Sequence, residues 1–249
     1  MKSKLLKVLC VVFALFVFAI MAMGSGSDGE SENKGDNGAN TGENSTVQEK
    51  NVDYKVGDAQ IGVYTNSINS TYVKIAVPVT NTGNCNLFLS AGSVDIEGSD
   101  GTIEDTLSLV SCYPQIIKPG ETAWYFENTL YDGSSKDGLK AILHEDVEEA
   151  KVDCIRYEVS EIALKDDQYL GVNVTGRVEN TTDEDATLPY VAALLFDKDN
   201  ALIGVDFTIL DDLKAKAKVG FKTSGLDLEI SASDVAKYEV YAYPNQFQF

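Results

Sequence analysis

Apolar and polar residues alternate with a period of two along much of the chain beyond residue 51. Val73, Ile75, Val77 and Val79 alternate with Tyr72, Lys74, Ala76 and Pro78; Leu170, Val172, Val174 and Val178 alternate with Asn173, Thr175, Arg177 and Glu179. Successive strand side chains point to opposite faces, so this pattern predicts strands with one buried and one wetted face. Pro78 has no N–H to give a ladder, which places it on an edge strand or at a bulge. Turn chemistry separates the runs at Asn81-Thr-Gly, Ser99-Asp-Gly, Lys118-Pro-Gly and Asp197-Lys-Asp-Asn. No 3.6-residue pattern is sustained, and residues 146–151 and 231–237 admit a single helical turn at most. Short strands broken by turns predict an all-β antiparallel sandwich architecture.

The pattern occurs twice. Tyr54, Val56, Ala59 and Ile61 recur as Tyr157, Val159, Ile162 and Leu164, and the Val73–Val79 run recurs 99 residues later, each run closing on Asn-Thr (Asn81-Thr82 and Asn180-Thr181). A period near 100 residues suits a self-sufficient domain better than a solenoid unit. The expected organisation is one β-sandwich domain over 51–155 and a second over 156–249, with almost no linker.

Residues 1–24 carry Lys2, Lys4 and Lys7 ahead of the uncharged run Val8–Met23, followed by Gly24, Ser25 and Gly26. That is the pattern of a signal peptide, and the run is also close to the roughly 20 residues of a membrane anchor. Cleaved leader and retained anchor both fit, so a membrane is involved only if the segment stays; the basic amino end is expected to remain cytoplasmic. Lys7 lies too near Cys10 for a lipid anchor there. Residues 25–50, rich in Gly, Ser, Asn and Glu, are expected to be a disordered linker. Extracellular or cell-surface localisation follows.

Charge narrows the partners. The chain holds 20 Lys and Arg against 39 Asp and Glu, and residues 25–249 hold 17 against 39, a net of −22. Such a surface repels phosphate backbones, which removes nucleic acid as a partner.

The second copy carries Gly176-Arg-Val-Glu-Asn-Thr-Thr, Ala193-Leu-Leu-Phe-Asp and Asn200-Ala-Leu-Ile-Gly. It resembles the FxLYD family of bacterial surface domains, with Ala193 in place of the first Phe of that motif. The first copy is more distantly similar, through Val79-Thr-Asn-Thr-Gly and Lys118-Pro-Gly-Glu-Thr-Ala-Trp-Tyr-Phe, with Val94-Asp-Ile-Glu where the signature would stand. The resemblance implies immunoglobulin-like sandwiches on exported, often membrane-tethered proteins, with no enzymatic activity and no functional residues to carry over.

No motif concentrates reactive chemistry. His144 is the one histidine, and with Glu145 and Asp146 beside it lacks the nitrogen and thiolate partners of a zinc site; it reads as a surface residue near a turn. There is no Gly-x-Ser-x-Gly elbow. Asp197-Lys-Asp199-Asn200 begins like a calcium loop, but Leu202 and Thr208 stand where glycine and glutamate are needed, so it reads as a hairpin turn. Accordingly no catalytic, cofactor-binding or metal residue is assigned, and no cofactor. Cys85, Cys112 and Cys154 allow either one disulfide, with Cys85–Cys112 the shortest closure, or three free thiols. Lys214, Lys216 and Lys218 alternate with small residues and are expected on one strand face, guarding an edge. Aromatic residues concentrate at Trp124-Tyr-Phe126 and Tyr241–Phe249, where packing and partner contact both fit.

The function expected is that of a non-catalytic surface β-sandwich protein, a binding module for an envelope protein or wall polymer. A pair of domains sensing a ligand or cation at their junction, and an envelope hydrolase, are the alternatives.

Overall fold

The structure, a computed structural model, describes residues 49–66, 68–167, 171–225 and 229–245. The expected export segment over 1–24 and nearly all of the expected linker over 25–50 lie outside the described residues.

The described residues are all-β and antiparallel, in eighteen strands. Ten strands precede residue 150: β1 (Tyr54–Val56), β2 (Gln60–Thr65), β3 (Thr71–Asn81), β4 (Leu87–Leu89), β5 (Gly92–Glu97), β6 (Ile103–Tyr113), β7 (Ile116–Ile117), β8 (Thr122–Leu130), β9 (Lys140–His144) and β10 (Val147–Glu149). Eight follow: β11 (Glu158–Asp167), β12 (Gly171–Glu179), β13 (Ala186–Thr187), β14 (Tyr190–Phe196), β15 (Leu202–Ile209), β16 (Asp212–Leu213), β17 (Lys218–Lys222) and β18 (Lys237–Tyr243). Among the described residues every ladder joins strands of the same half.

In the first half β1 and β2 line one edge of β3 and β8 lines the other, while β6, β5 and β9 form the facing layer. β6 belongs to both layers. It pairs with β5 through Val110, and Ser111–Tyr113 pair with β8. Just before that switch, within the β5-paired stretch, Leu109 takes φ 61° where the register slips, a bulge that redirects the strand. In the second half β11-β12-β17 faces β15-β14-β18. A short closing sheet caps each half: β10-β4-β7 in the first, β13-β16 in the second.

Pro78 sits at a break, as its chemistry requires. β1 pairs with Val79–Asn81 and β2 with Thr71–Ala76, so the interruption between β1 and β2 lies opposite Pro78. Gly57 N–H donates to Pro78 O at 2.8 Å, and no return bond is needed where the partner strand is interrupted.

Two expectations of local structure change. Val147–Glu149 is strand β10, because Val147 packs on the first core while the backbone pairs with β4. Residues 231–236 form a tight turn, closed by Asp234 N–H on Ser231 O at 3.0 Å and by the Asp234 carboxylate accepting Ser231 N–H at 2.9 Å.

Three apolar clusters hold the layers together. The first joins Val73, Ile75 and Val77 of β3 to Val94 and Ile96 of β5 and to Tyr125 of β8; the second joins Val172 and Val174 to Val191, Ala193 and Leu195. The third lies between the halves, where Ala76 and Phe126 meet Ala192, Leu194 and Phe196. The result is four stacked sheet layers with three apolar interiors. The β3 face expected to be wetted is therefore covered: Ala76 is only 1% exposed. β14 is buried on both sides, which explains its unbroken run Val191-Ala-Ala-Leu-Leu-Phe.

Cys85, Cys112 and Cys154 are free and buried, so of the two alternatives the structure has three thiols. Cys85 and Cys112 belong to the first core, and the Cys85 thiol instead donates to Asn51 O at 3.4 Å.

Candidate functional site

Strand alternation builds the seam between the halves. β8 sends Ala123 and Tyr125 into the first core, so Trp124 and Phe126 project the other way; β14 likewise sends Ala192, Leu194 and Phe196 away from the second core. Of the aromatic clusters at 124–126 and 241–243, Trp124, Phe126, Tyr241 and Tyr243 thus pack in the seam, and Tyr125 packs in the first core. Phe207 lies between Tyr113 and Tyr190, at 6.4 and 6.3 Å, Tyr190 stacks on Tyr243 at 6.0 Å, and Trp124 meets Phe196 edge-on at 5.7 Å. Burial pushes the Tyr113 hydroxyl up to about 12 and raises those of Tyr190 and Tyr243, so all three stay neutral in the apolar seam.

Arg156, in the connector between the halves, ties the seam at one rim. Its guanidinium donates to Ile116 O and, at 3.3 Å, to Ile155 O. It lies 3.8 Å from the Glu121 carboxylate and 5.7 Å from the ring centres of Tyr241 and Tyr243. Arginine suits this position because its flat fork can stack on rings and donate along its edge at once.

Beside Arg156 the rim opens into a groove of about 340 Å³, to which the first half contributes Glu121, Thr122 and Trp124 and the second half Phe196, Asn200, Lys237, Glu239 and Tyr241. Its charges are paired within the wall. Lys237 Nζ lies 2.7 Å from Glu239 and 5.0 Å from the centre of the Phe196 ring. The Tyr241 hydroxyl donates to Glu239 at 2.8 Å, and burial together with that carboxylate raises its pKa. Glu121 accepts Lys118 N–H at 2.9 Å and faces Arg156. Asn200 enters from the β14–β15 hairpin in a left-handed conformation, φ 62°. Sequence reading did not join these residues; the one available signal was the unbroken apolar run of β14, which needs a cover on each face.

A second cavity, of about 560 Å³, surrounds Glu104 and the loop 132–135. Glu104 accepts the N–H groups of Ser134 at 2.9 Å and Ser135 at 2.8 Å, together with both serine hydroxyls and that of Tyr131. These bonds hold its carboxyl down to about 2. The carboxylate is committed to fastening the loop.

The single histidine has a partner the sequence did not show. His144 Nε2 lies 2.9 Å from the Asp95 carboxylate, brought there by β5–β9 pairing, and Thr106 donates to the same Asp95 at 2.7 Å. These bonds lower the Asp95 pKa, the Thr106 hydroxyl most and His144 next. The pair stands on an open sheet face. Asp206 is the one buried carboxyl of β15, 4% exposed; it accepts Gly225 N–H at 2.9 Å and the Thr223 hydroxyl, and burial raises its pKa. It ties β15 to the chain leaving β17.

The remaining expectations fall as follows. Asp197 Oδ1 accepts the N–H groups of Asp199 and Ala201, both at 2.9 Å, and closes a hairpin between β14 and β15. Lys214, Lys216 and Lys218 do not share a strand face: the first two lie in the turn between β16 and β17, with Lys216 at φ 58°, because that turn leaves the sheet before Lys218 begins β17. Each is near acids: Lys214 near Asp185 and Asp212, Lys216 near Asp183, and Lys218 near Glu161 and Glu179. Among the described residues no group of three or more His, Cys, Asp or Glu is placed to hold a metal ion.

No family model matches the chain, and no curated relative matches it. Among solved structures it is similar to the N-terminal CBM22-1-CBM22-2 tandem domain of Paenibacillus barcinonensis Xyn10C, at 11% identity and a TM-score of 0.14, over 78% of this chain and 86% of that one.

Proposed function

We propose that this chain is an exported, cell-surface, non-catalytic β-sandwich protein that works as a binding module for an envelope protein or wall polymer. The observation that carries the reading is the groove at the seam, where Trp124 and Tyr241 from different halves share one wall. Its acids and bases neutralise one another: Glu239 is paired with Lys237, and Glu121 faces Arg156. Such a lining suits recognition, whereas acid–base chemistry needs groups whose environments push their pKa values apart. The leader-like segment 1–24, the polar stretch 25–50 and the similarity of residues 176–204 to FxLYD surface domains support display outside the cell. Lys237 and Asn200 at the mouth of the groove are exposed to solvent, which gives a partner access.

The test is co-sedimentation of the purified full chain with isolated envelope fragments, alongside protease shaving of intact cells. Saturable sedimentation and removal by the protease are expected. Absence of saturable sedimentation, or full protection in intact cells, overturns the reading.

A further inference from the structure

Within that reading of the groove, which this inference rests on, we infer that its ligand is a pyranose ring of a neutral polysaccharide. A pyranose has an apolar C–H face and a rim of hydroxyls that both donate and accept hydrogen bonds. The groove has both counterparts. Trp124 and Tyr241 supply aromatic surface on a floor set by Phe196, which is 2% exposed and fixed between the halves. Asn200 adds a carboxamide, at once donor and acceptor, that makes no side-chain hydrogen bond among the described residues.

Charge decides against the other ligand classes. Residues 25–249 carry a net of −22, which disfavours an anionic polymer over the whole body. A cationic ligand would have to displace Lys237 from Glu239 or Arg156 from Glu121. A neutral polyol leaves both pairs in place and hydrogen-bonds to their outer edges. The volume, about 340 Å³, lies at the small end of the range of about 300–1,000 Å³ usual for ligand sites.

Trp124 is the one tryptophan of the chain, so its emission reports on this groove alone. The full chain is titrated with cellohexaose, laminarihexaose and maltohexaose, and with polygalacturonate as the anionic comparison. At least one neutral hexaose is expected to shift the emission saturably, and the exposed substitution Asn200→Ala to weaken that response about tenfold, the loss of one or two good hydrogen bonds. Trp124→Ala, followed by calorimetry, should abolish binding; because Trp124 packs on Phe196 and an alanine at position 200 would be held at φ 62°, Asn200→Gly, which removes the carboxamide without that strain and should weaken binding as Asn200→Ala does, is the variant that keeps the fold out of question. No response to any of the three hexaoses, an unchanged response in Asn200→Ala, or equal binding of polygalacturonate overturns the inference. Envelope co-sedimentation that survives Trp124→Ala also sinks the groove assignment while leaving the binding-module reading intact; loss of co-sedimentation by the unmodified chain sinks that reading itself.

Discussion

Asn81 and Asn180 stand 99 residues apart and make the same hydrogen bonds. Asn81 Nδ2 donates to Cys85 O at 2.8 Å and Ile117 O at 3.2 Å; Asn180 Nδ2 donates to Glu184 O at 2.8 Å and Leu213 O at 3.1 Å. Each Oδ1 accepts the N–H two residues on, Gly83 and Thr182, at 3.0 Å. Both side chains are essentially out of water, at 1% and 0% exposure. Each carboxamide thus pins the end of a central strand, β3 or β12, to the short closing sheet beside it.

Removing that pin should be costly. Asn180→Ala takes the side-chain donor from buried Leu213 O and leaves Glu184 O only the Thr182 hydroxyl, at 3.2 Å, so a loss of about 1–3 kcal/mol is expected from urea denaturation. Asn180→Asp should cost more, since it sets a carboxylate oxygen against both carbonyls. The same order is expected at Asn81. If Asp proves no worse than Ala at either position, the donor role is wrong.

The Asn-Thr pairs were visible in the sequence as the close of each repeated run, but their bonding was not, because the acceptors lie up to 36 residues away. The strands and the repeat were legible because period two is set by the pleat itself. What covers the second face is not set by the pleat: Ala76 and Pro78 read as wetted, and only the folded chain brings Leu194 and Phe196 over that side. The groove was illegible for the same reason, since its lining comes from both halves. The His144–Asp95 contact depends on register between β5 and β9, which no local pattern specifies.

Two glycines separate steric need from habit. A Cβ on Gly57 would lie 2.8 Å from Pro78 Cγ, whereas one on Gly62 meets nothing within 4 Å. Gly57→Ala should therefore destabilise by about 1–3 kcal/mol, the usual cost of crowding a packed site. Gly62→Ala should be neutral or stabilising by up to about 1 kcal/mol through the unfolded chain. Thermal melts of the two variants, compared side by side, check the pair, and equal effects would refute the steric account.

Glu104 makes the loop 132–135 sensitive to acid. Its folded pKa, about 2, lies below the ordinary carboxylate range, so its hold on the loop is complete above that range and is lost as pH falls toward 2. Hydrogen exchange at about pH 7 should show Glu104→Gln lowering the protection of the Ser134 and Ser135 amides about tenfold, since local opening governs exchange there. The gap between variant and unmodified chain should close between about pH 4 and pH 2. A gap that persists unchanged at the lowest pH would mean that the carboxylate is not what holds the loop.

Arg156 is the residue on which the joint between the halves turns. It is the connector's own side chain, yet it reaches Ile116 O in the first half and the Tyr241 and Tyr243 rings in the second, so one guanidinium bonds to both. The third apolar cluster couples the two sandwiches only while those layers stay in contact, and each sandwich has a core of its own. Arg156→Ala leaves Ile116 O with only the weaker Cys154 thiol, at 3.6 Å, and takes the cation from partly exposed Glu121, a change of about 1–3 kcal/mol. The loss falls on the seam alone. Calorimetry should therefore show one transition for the unmodified chain and two for Arg156→Ala, one for each sandwich. Arg156→Lys should fall between the two, because it keeps the charge but not the flat surface that lies over the tyrosines. One sharp transition in Arg156→Ala, merely shifted to lower temperature, would mean that the apolar seam couples the halves without help from the connector.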